Sequence, residues 1–180
     1  MSYSLYTQCE DCITQALAVL TALRERRTIT AATVQELFRR RRTADIALQA
    51  AFEELRHAFI TPAPREALWE LRCAAACVTD RAEAVQLALY HCGRSALYAD
   101  DTALLSAVKE ECCRLLEAFA ALPQYPKSEA VIKALTALEK QHRTAEQTTA
   151  SAVAENALRH LSEACAEAAR RLQYVLLTVS

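Results

Sequence analysis

A chain of 180 residues with a single glycine, Gly93, lacks the residue from which most tight turns are built. The common two-residue hairpins need positive φ, and glycine takes such angles without steric cost. With 53% hydrophobic residues, rich in Ala and Leu, the sequence therefore predicts an all-α protein. Its length suits one domain over residues 1–180, since chains of roughly 150 residues bury about 70% of their unfolded surface. A formal net charge of −1 supplies no global field for nucleic acid, so none is expected as a partner. No apolar run approaches the roughly 18 residues of a membrane-spanning helix, and the opening MSYSLYTQCEDC lacks the pattern of a secretory leader. A soluble, cytoplasmic protein is the expectation. Its eight cysteines fall mainly among apolar residues and read as reduced, mostly buried small hydrophobes.

Apolar residues recurring at steps of three and four mark the helices. One stripe is Leu68, Leu71, Ala75, Val78, Ala82, Val85, Leu89 and Cys92, with Gly93 as its stop. Others run through Tyr6, Cys9, Ile13, Ala16, Leu20 and Leu23, through Leu105, Val108, Cys112, Leu115, Phe119 and Leu122, and through Leu158, Leu161, Cys165, Ala168, Leu172 and Val175. A further stripe, Val131, Leu135, Leu138, His142 and Ala145, follows LPQYPKSE, where Pro123 and Pro126 end one helix and Ser128 can cap the next. The hydroxyl and β-branched run TTAS, 148–151, marks a break before the last helix.

One stripe is irregular. Val34, Phe38, Arg41, Asp45, Leu48, Phe52, Leu55 and Phe59 place an Arg and an Asp one turn apart in an apolar row, which reads as an i, i+4 ion pair. This helix runs into HAFITPAPREALWEL, 57–71. Pro62 disfavours helix at Thr61, Pro64 suits the start of the next helix, and Arg65 and Glu66 begin it. The expectation is a stiff corner joining two long antiparallel helices.

At this corner the sequence resembles a known family. FITP followed by RE, between a helix carrying Asp45 and one carrying Asp80 and Glu83, is similar to the PhoU-like phosphate transport regulators. The match is clearest from about Arg39 to Cys92, and VIKALTALEKQ, 131–141, resembles the start of the family's second motif. The resemblance implies an antiparallel bundle of about six helices in two three-helix halves, here about 1–93 and 94–180. It also implies multinuclear divalent or trivalent metal sites on acidic motifs, and an accessory role beside Pit-type phosphate transporters at the inner face of the membrane. The departures are specific. Arg41, Pro64, Ala67, Ala76, Cys77, Arg143 and Ala166 stand where the family carries acidic residues. What remains, Asp45, Asp80, Glu83 and Glu139, makes a thin, vestigial donor set, because hard cations take several oxygens each. No cofactor is expected, and the plain alternative for Asp80 and Glu83 is a solvated face beside Arg81.

Other chemistries have candidate residues in the sequence. Glu54 with His57 and Glu139 with His142 both fit Glu-x-x-His, and with Glu10 and Glu110 they could form a ferritin-like di-iron site. Glu54 and His57 lie off the apolar stripe while His142 lies on it, which favours a core histidine with a hydrogen-bond partner. Cys9, Cys12, Cys73 and Cys77 are formally a thiolate set, yet they sit inside helical patterns without the turns such sites use. The run Arg39, Arg40, Arg41 and Arg42 turns 100° per residue, so it cannot present one flat basic face. It reads as a solvated segment with local acidic partners, or as an anion or partner contact. No nucleophile with a base and no Gly-rich phosphate loop is present, so the expectation is no enzyme. The reading is a non-catalytic accessory protein that docks onto a membrane phosphate transporter or a second copy of itself; the alternative is a helical interaction scaffold with no phosphate role.

Overall fold

Six helices follow one another in a computed structural model that describes residues 2–25, 27–94, 96–98, 101–122 and 129–179. They are α1 (Ser2–Arg24), α2 (Ala31–His57), α3 (Arg65–His91), α4 (Thr102–Ala121), α5 (Glu129–Gln147) and α6 (Ala152–Val179). No strand occurs among the described residues. The all-α expectation holds, and residues 148–151 interrupt α5 and α6 where the hydroxyl-rich run predicted. The caps expected at Pro123, Pro126 and Ser128 lie outside the described residues.

The central pair is α3 and α6; α1 packs on α3 and α4, and α5 packs on α4 and α6. The stripes meet in one continuous core, with Ile13, Leu20, Leu71, Leu89, Leu115, Phe119, Leu138 and Leu158 fully enclosed. Cys92, the last residue of the α3 stripe, is exposed where that helix ends. The cysteines are less buried than expected: Cys9, Cys112 and Cys165 are buried, four are half-buried and Cys92 is exposed.

Several helix ends have identifiable partners for their orphan backbone groups. At Gly93, φ is +69°. Its N–H donates to Tyr90 O and the Arg94 N–H donates to Leu89 O, the paired bonds of a Schellman stop. The end of α5 has no glycine and uses an arginine instead: Arg159 donates to the carbonyls of Ala145, Glu146 and Thr148 while pairing with Glu155 at 2.7 Å. Thr30 caps α2 through a reciprocal pair with Thr33. The loops at one end are clasped by Asp101, which accepts from Arg94 at 2.8 Å and from the backbone N–H groups of Tyr98 and Ser151.

The proline corner forms as predicted. Helix α2 ends at His57, Pro64 caps α3, and Arg65 reaches back to donate to Ala58 O. Two contacts fix the orientation: Arg41 meets Asp80, and eleven residues later Phe52 meets Trp69 eleven residues earlier. The two helices are antiparallel.

Helix α2 departs from expectation in its burial. It packs mainly against α3, and only Leu37, Ala51 and Leu55 are buried along it. Of the stripe read from the sequence, Phe38 is 58% exposed, Phe52 44% and Phe59 93%. The corner buries its small residues, Ala58 and Ala63, and presents Phe59 and Ile60 to solvent. Burying a leucine side chain stabilises by about 2 kcal/mol. With two buried leucines, α2 is held far less firmly than α3, whose whole stripe from Leu68 to Leu89 is enclosed.

Candidate functional site

The acidic residues singled out in the first half gather at the seam between α2 and α3. Asp80 and Glu83 lie one turn apart on α3, and Asp45 on α2 is close enough to act on Asp80 electrostatically. Arg41 is the cation of this seam: its Nε stands 3.7 Å from Asp80 Oδ1. The predicted intrahelical Arg41–Asp45 pair is therefore replaced by a pair across the two helices. The reason is register, because the antiparallel packing points Arg41 at α3. Nor is the α3 portion a solvated face: Glu83 is buried and Asp80 is half-buried.

Burial acts on the two carboxyls of α3. Desolvation pushes Asp80 above the usual carboxylate range; Arg41 opposes this and Asp45 adds to it. Glu83 is likewise raised by burial and by Asp80, against the fields of Arg41 and Arg40. Three carboxylates thus share their surroundings with three guanidinium groups, those of Arg40, Arg41 and Arg81. A hard cation needs about six or more oxygens. Among the described residues no group of three or more His, Cys, Asp or Glu side chains is arranged to hold a metal ion. The donor set does not fit a multinuclear metal centre, since the chain's own arginines supply the positive charge. Glu139 takes no part in the seam; it accepts from Gln173 at 3.2 Å on α6.

The arginine run divides as helical geometry requires. Arg39 and Arg40 both pair with Glu36, at 3.3 and 3.2 Å, Arg41 turns to Asp80, and Arg42 is exposed. The di-iron set does not assemble. Glu54 and His57 are exposed at the end of α2, and Glu110 is engaged by Arg114.

His142 has the hydrogen-bond partner expected of a core histidine, within a cluster the sequence did not reveal. Its Nδ1 is 2.8 Å from Ser162 Oγ, and Ser162 stands 2.7 and 2.9 Å from the two oxygens of Glu111. Glu111 is fully buried, and desolvation pushes its pKa up to about 8 despite the Ser162 hydrogen bond. In a nucleophilic triad the imidazole stands between hydroxyl and acid. Here the hydroxyl stands between imidazole and acid, and Ser162 is itself buried. The cluster is a polar tie among α4, α5 and α6. The thiols of Cys9, Cys12 and Cys73 are poor nucleophiles, since burial raises them above the normal thiol range.

Fold and site together define an all-α six-helix bundle in which the acidic residues of the α2–α3 seam are matched by arginines. Two solved structures share that architecture. One is a PhoU-like protein from Shewanella oneidensis MR-1, at a TM-score of 0.55 and 10% identity over 98% of this chain and 96% of that one. The other, from the same organism, is described as a candidate PhoU-like phosphate regulatory protein; it has a TM-score of 0.55 and 12% identity over 98% and 95% of the two chains. No family model and no curated protein matches the sequence. The chain has a PhoU-like fold along its whole length.

Proposed function

We propose that this chain is a non-catalytic accessory or regulatory protein linked to inorganic phosphate transport, docking on a Pit-type membrane transporter from the cytoplasmic side, with metal binding reduced or lost. Its fold supports the reading, through a full-length likeness to PhoU-like proteins, one of them described as a candidate phosphate regulatory protein. The observation that carries the docking role is α2. Phe38, Ile46 and Phe52 on that helix, with Phe59 and Ile60 at its corner, all reach solvent. Exposed apolar side chains in such number mark an interaction surface. No described helix is long and apolar enough to cross a membrane, and the docking proposed is a peripheral one. Loss of metal is supported by Arg41 on Asp80, where the chain itself neutralises a carboxylate.

Co-expression with a Pit-type transporter from the same genome tests the role. The expected result is co-purification that weakens at least fivefold in the Phe59→Ser/Ile60→Ser variant, whose helical circular dichroism is unchanged. A wild-type chain that self-associates through α2 and leaves the transporter unbound would support the scaffold reading instead.

A further inference from the structure

Arg72 lies on α3 and is only 3% exposed. Its Nε donates to Gln8 Oε1 at 3.3 Å and its Nη1 to Cys12 Sγ at 3.2 Å, both on α1. Neither acceptor is charged, because burial raises the Cys12 thiol above its normal range and keeps it protonated. Arg72 thus carries a desolvated positive charge with no carboxylate paired to it among the described residues. A buried guanidinium is expected to have a counter-ion, since leaving one unpaired is strongly destabilising.

The space beside it is where such a counter-ion fits. Because α2 leans on α3 rather than on α1, a cleft of about 450 Å³ opens between α1 and α2. Arg72 lines it together with Arg39, Arg40 and Thr43, and with the carboxylates of Glu36 and Asp11. Glu36 is already occupied by Arg39 and Arg40, and Asp11 makes no ion pair with Arg72. Three guanidinium groups face two carboxylates, so the lining holds an excess of one positive charge with planar donors suited to oxyanions.

We propose that this cleft binds a phosphoryl oxyanion, held by Arg72 at its base and by Arg39 and Arg40 at its rim. The choice of phosphate over other oxyanions rests on the phosphate-linked role given above. Inorganic phosphate and an anionic lipid headgroup present the same chemistry to the arginines.

Titration calorimetry and thermal unfolding of the full chain with inorganic phosphate, against sulfate at matched ionic strength, provide the test. One equivalent should bind and raise the melting temperature. Arg72→Met, checked for folding by circular dichroism, should lose at least tenfold in affinity while melting no lower than wild type without phosphate. Arg39→Gln/Arg40→Gln, at the rim of the cleft, should lose several-fold. Arg72-dependent binding to phosphatidic acid vesicles, without a response to free phosphate, would support the cleft with a lipid headgroup as its source. The proposal is overturned if neither phosphate nor phosphatidic acid vesicles bind, or if Arg72→Met binds them like wild type. Failure here with transporter co-purification intact removes only the cleft; phosphate binding without co-purification removes only the docking role.

Discussion

Burial of the Glu111 carboxyl makes the stability of the fold depend on pH. With its folded pKa at about 8 and an ordinary carboxylate value when unfolded, Glu111 keeps a proton in the folded state through a window where the unfolded chain has released it. Stability therefore falls as pH rises from about 4.5 to about 8, then levels. Ser162, His142 and Glu146 face the same group, the last raising its pKa further. Glu111→Gln removes the titration while keeping a hydrogen-bonding partner for Ser162. Its expected effect is a gain on the order of a few kcal/mol at pH 8.5 with little change near pH 5, measured by urea unfolding at both values; wild-type and variant curves that stay parallel with pH would contradict it. The sequence showed His142 on an apolar stripe and so predicted a partnered core histidine. The identity of the partners was hidden because Glu111 and Ser162 lie 31 residues before and 20 after it, respectively. Arg72 was missed for a related reason, although a signal existed. Arg72, Thr79 and Gln86 recur every seven residues on α3 and all are buried, marking a second enclosed face on a helix with several neighbours.

Among the helices, α2 and α3 have equal lengths and opposite fates. Each has 27 residues, and they meet at one corner. Helix α3 buries its stripe against α1 and α6; α2 has only α3 as a substantial neighbour. Local opening should follow this difference. Native-state hydrogen exchange is expected to show amides in the middle of α2 opening at a free energy several kcal/mol below those of α3, since only Leu37 and Leu55 anchor it among large side chains. Equal protection in the two helices would mean that α2 is covered in solution, as by a second copy. The corner itself was readable from Pro62 and Pro64, because proline restricts φ and the preceding residue by local sterics. The exposure of Phe59 and Ile60 was not, since nothing local distinguishes an apolar residue at a covered face from one at a bare one.

For the whole molecule, the electrostatic arrangement gives a stoichiometric expectation. The seam of Asp45, Asp80 and Glu83 has Arg41 and Arg40 in its field, so protein purified without chelator should contain well under one equivalent of magnesium, calcium, manganese, iron or zinc by plasma mass spectrometry. A stoichiometric ion that disappears in Asp80→Asn would restore the seam as a metal site. The six helices and the stiff bend could be determined from the sequence alone: glycine scarcity, 3.6-residue periodicity and proline geometry act over a few neighbouring residues and need no knowledge of the rest of the chain. Only tertiary structure decided that the phenylalanines of the α2 stripe stay exposed, that Arg41 reaches Asp80 rather than Asp45, and that Arg72 is enclosed without a counter-charge among the described residues. Those outcomes depend on which helix lies against which face, and burial and charge pairing are properties of that arrangement of distant segments.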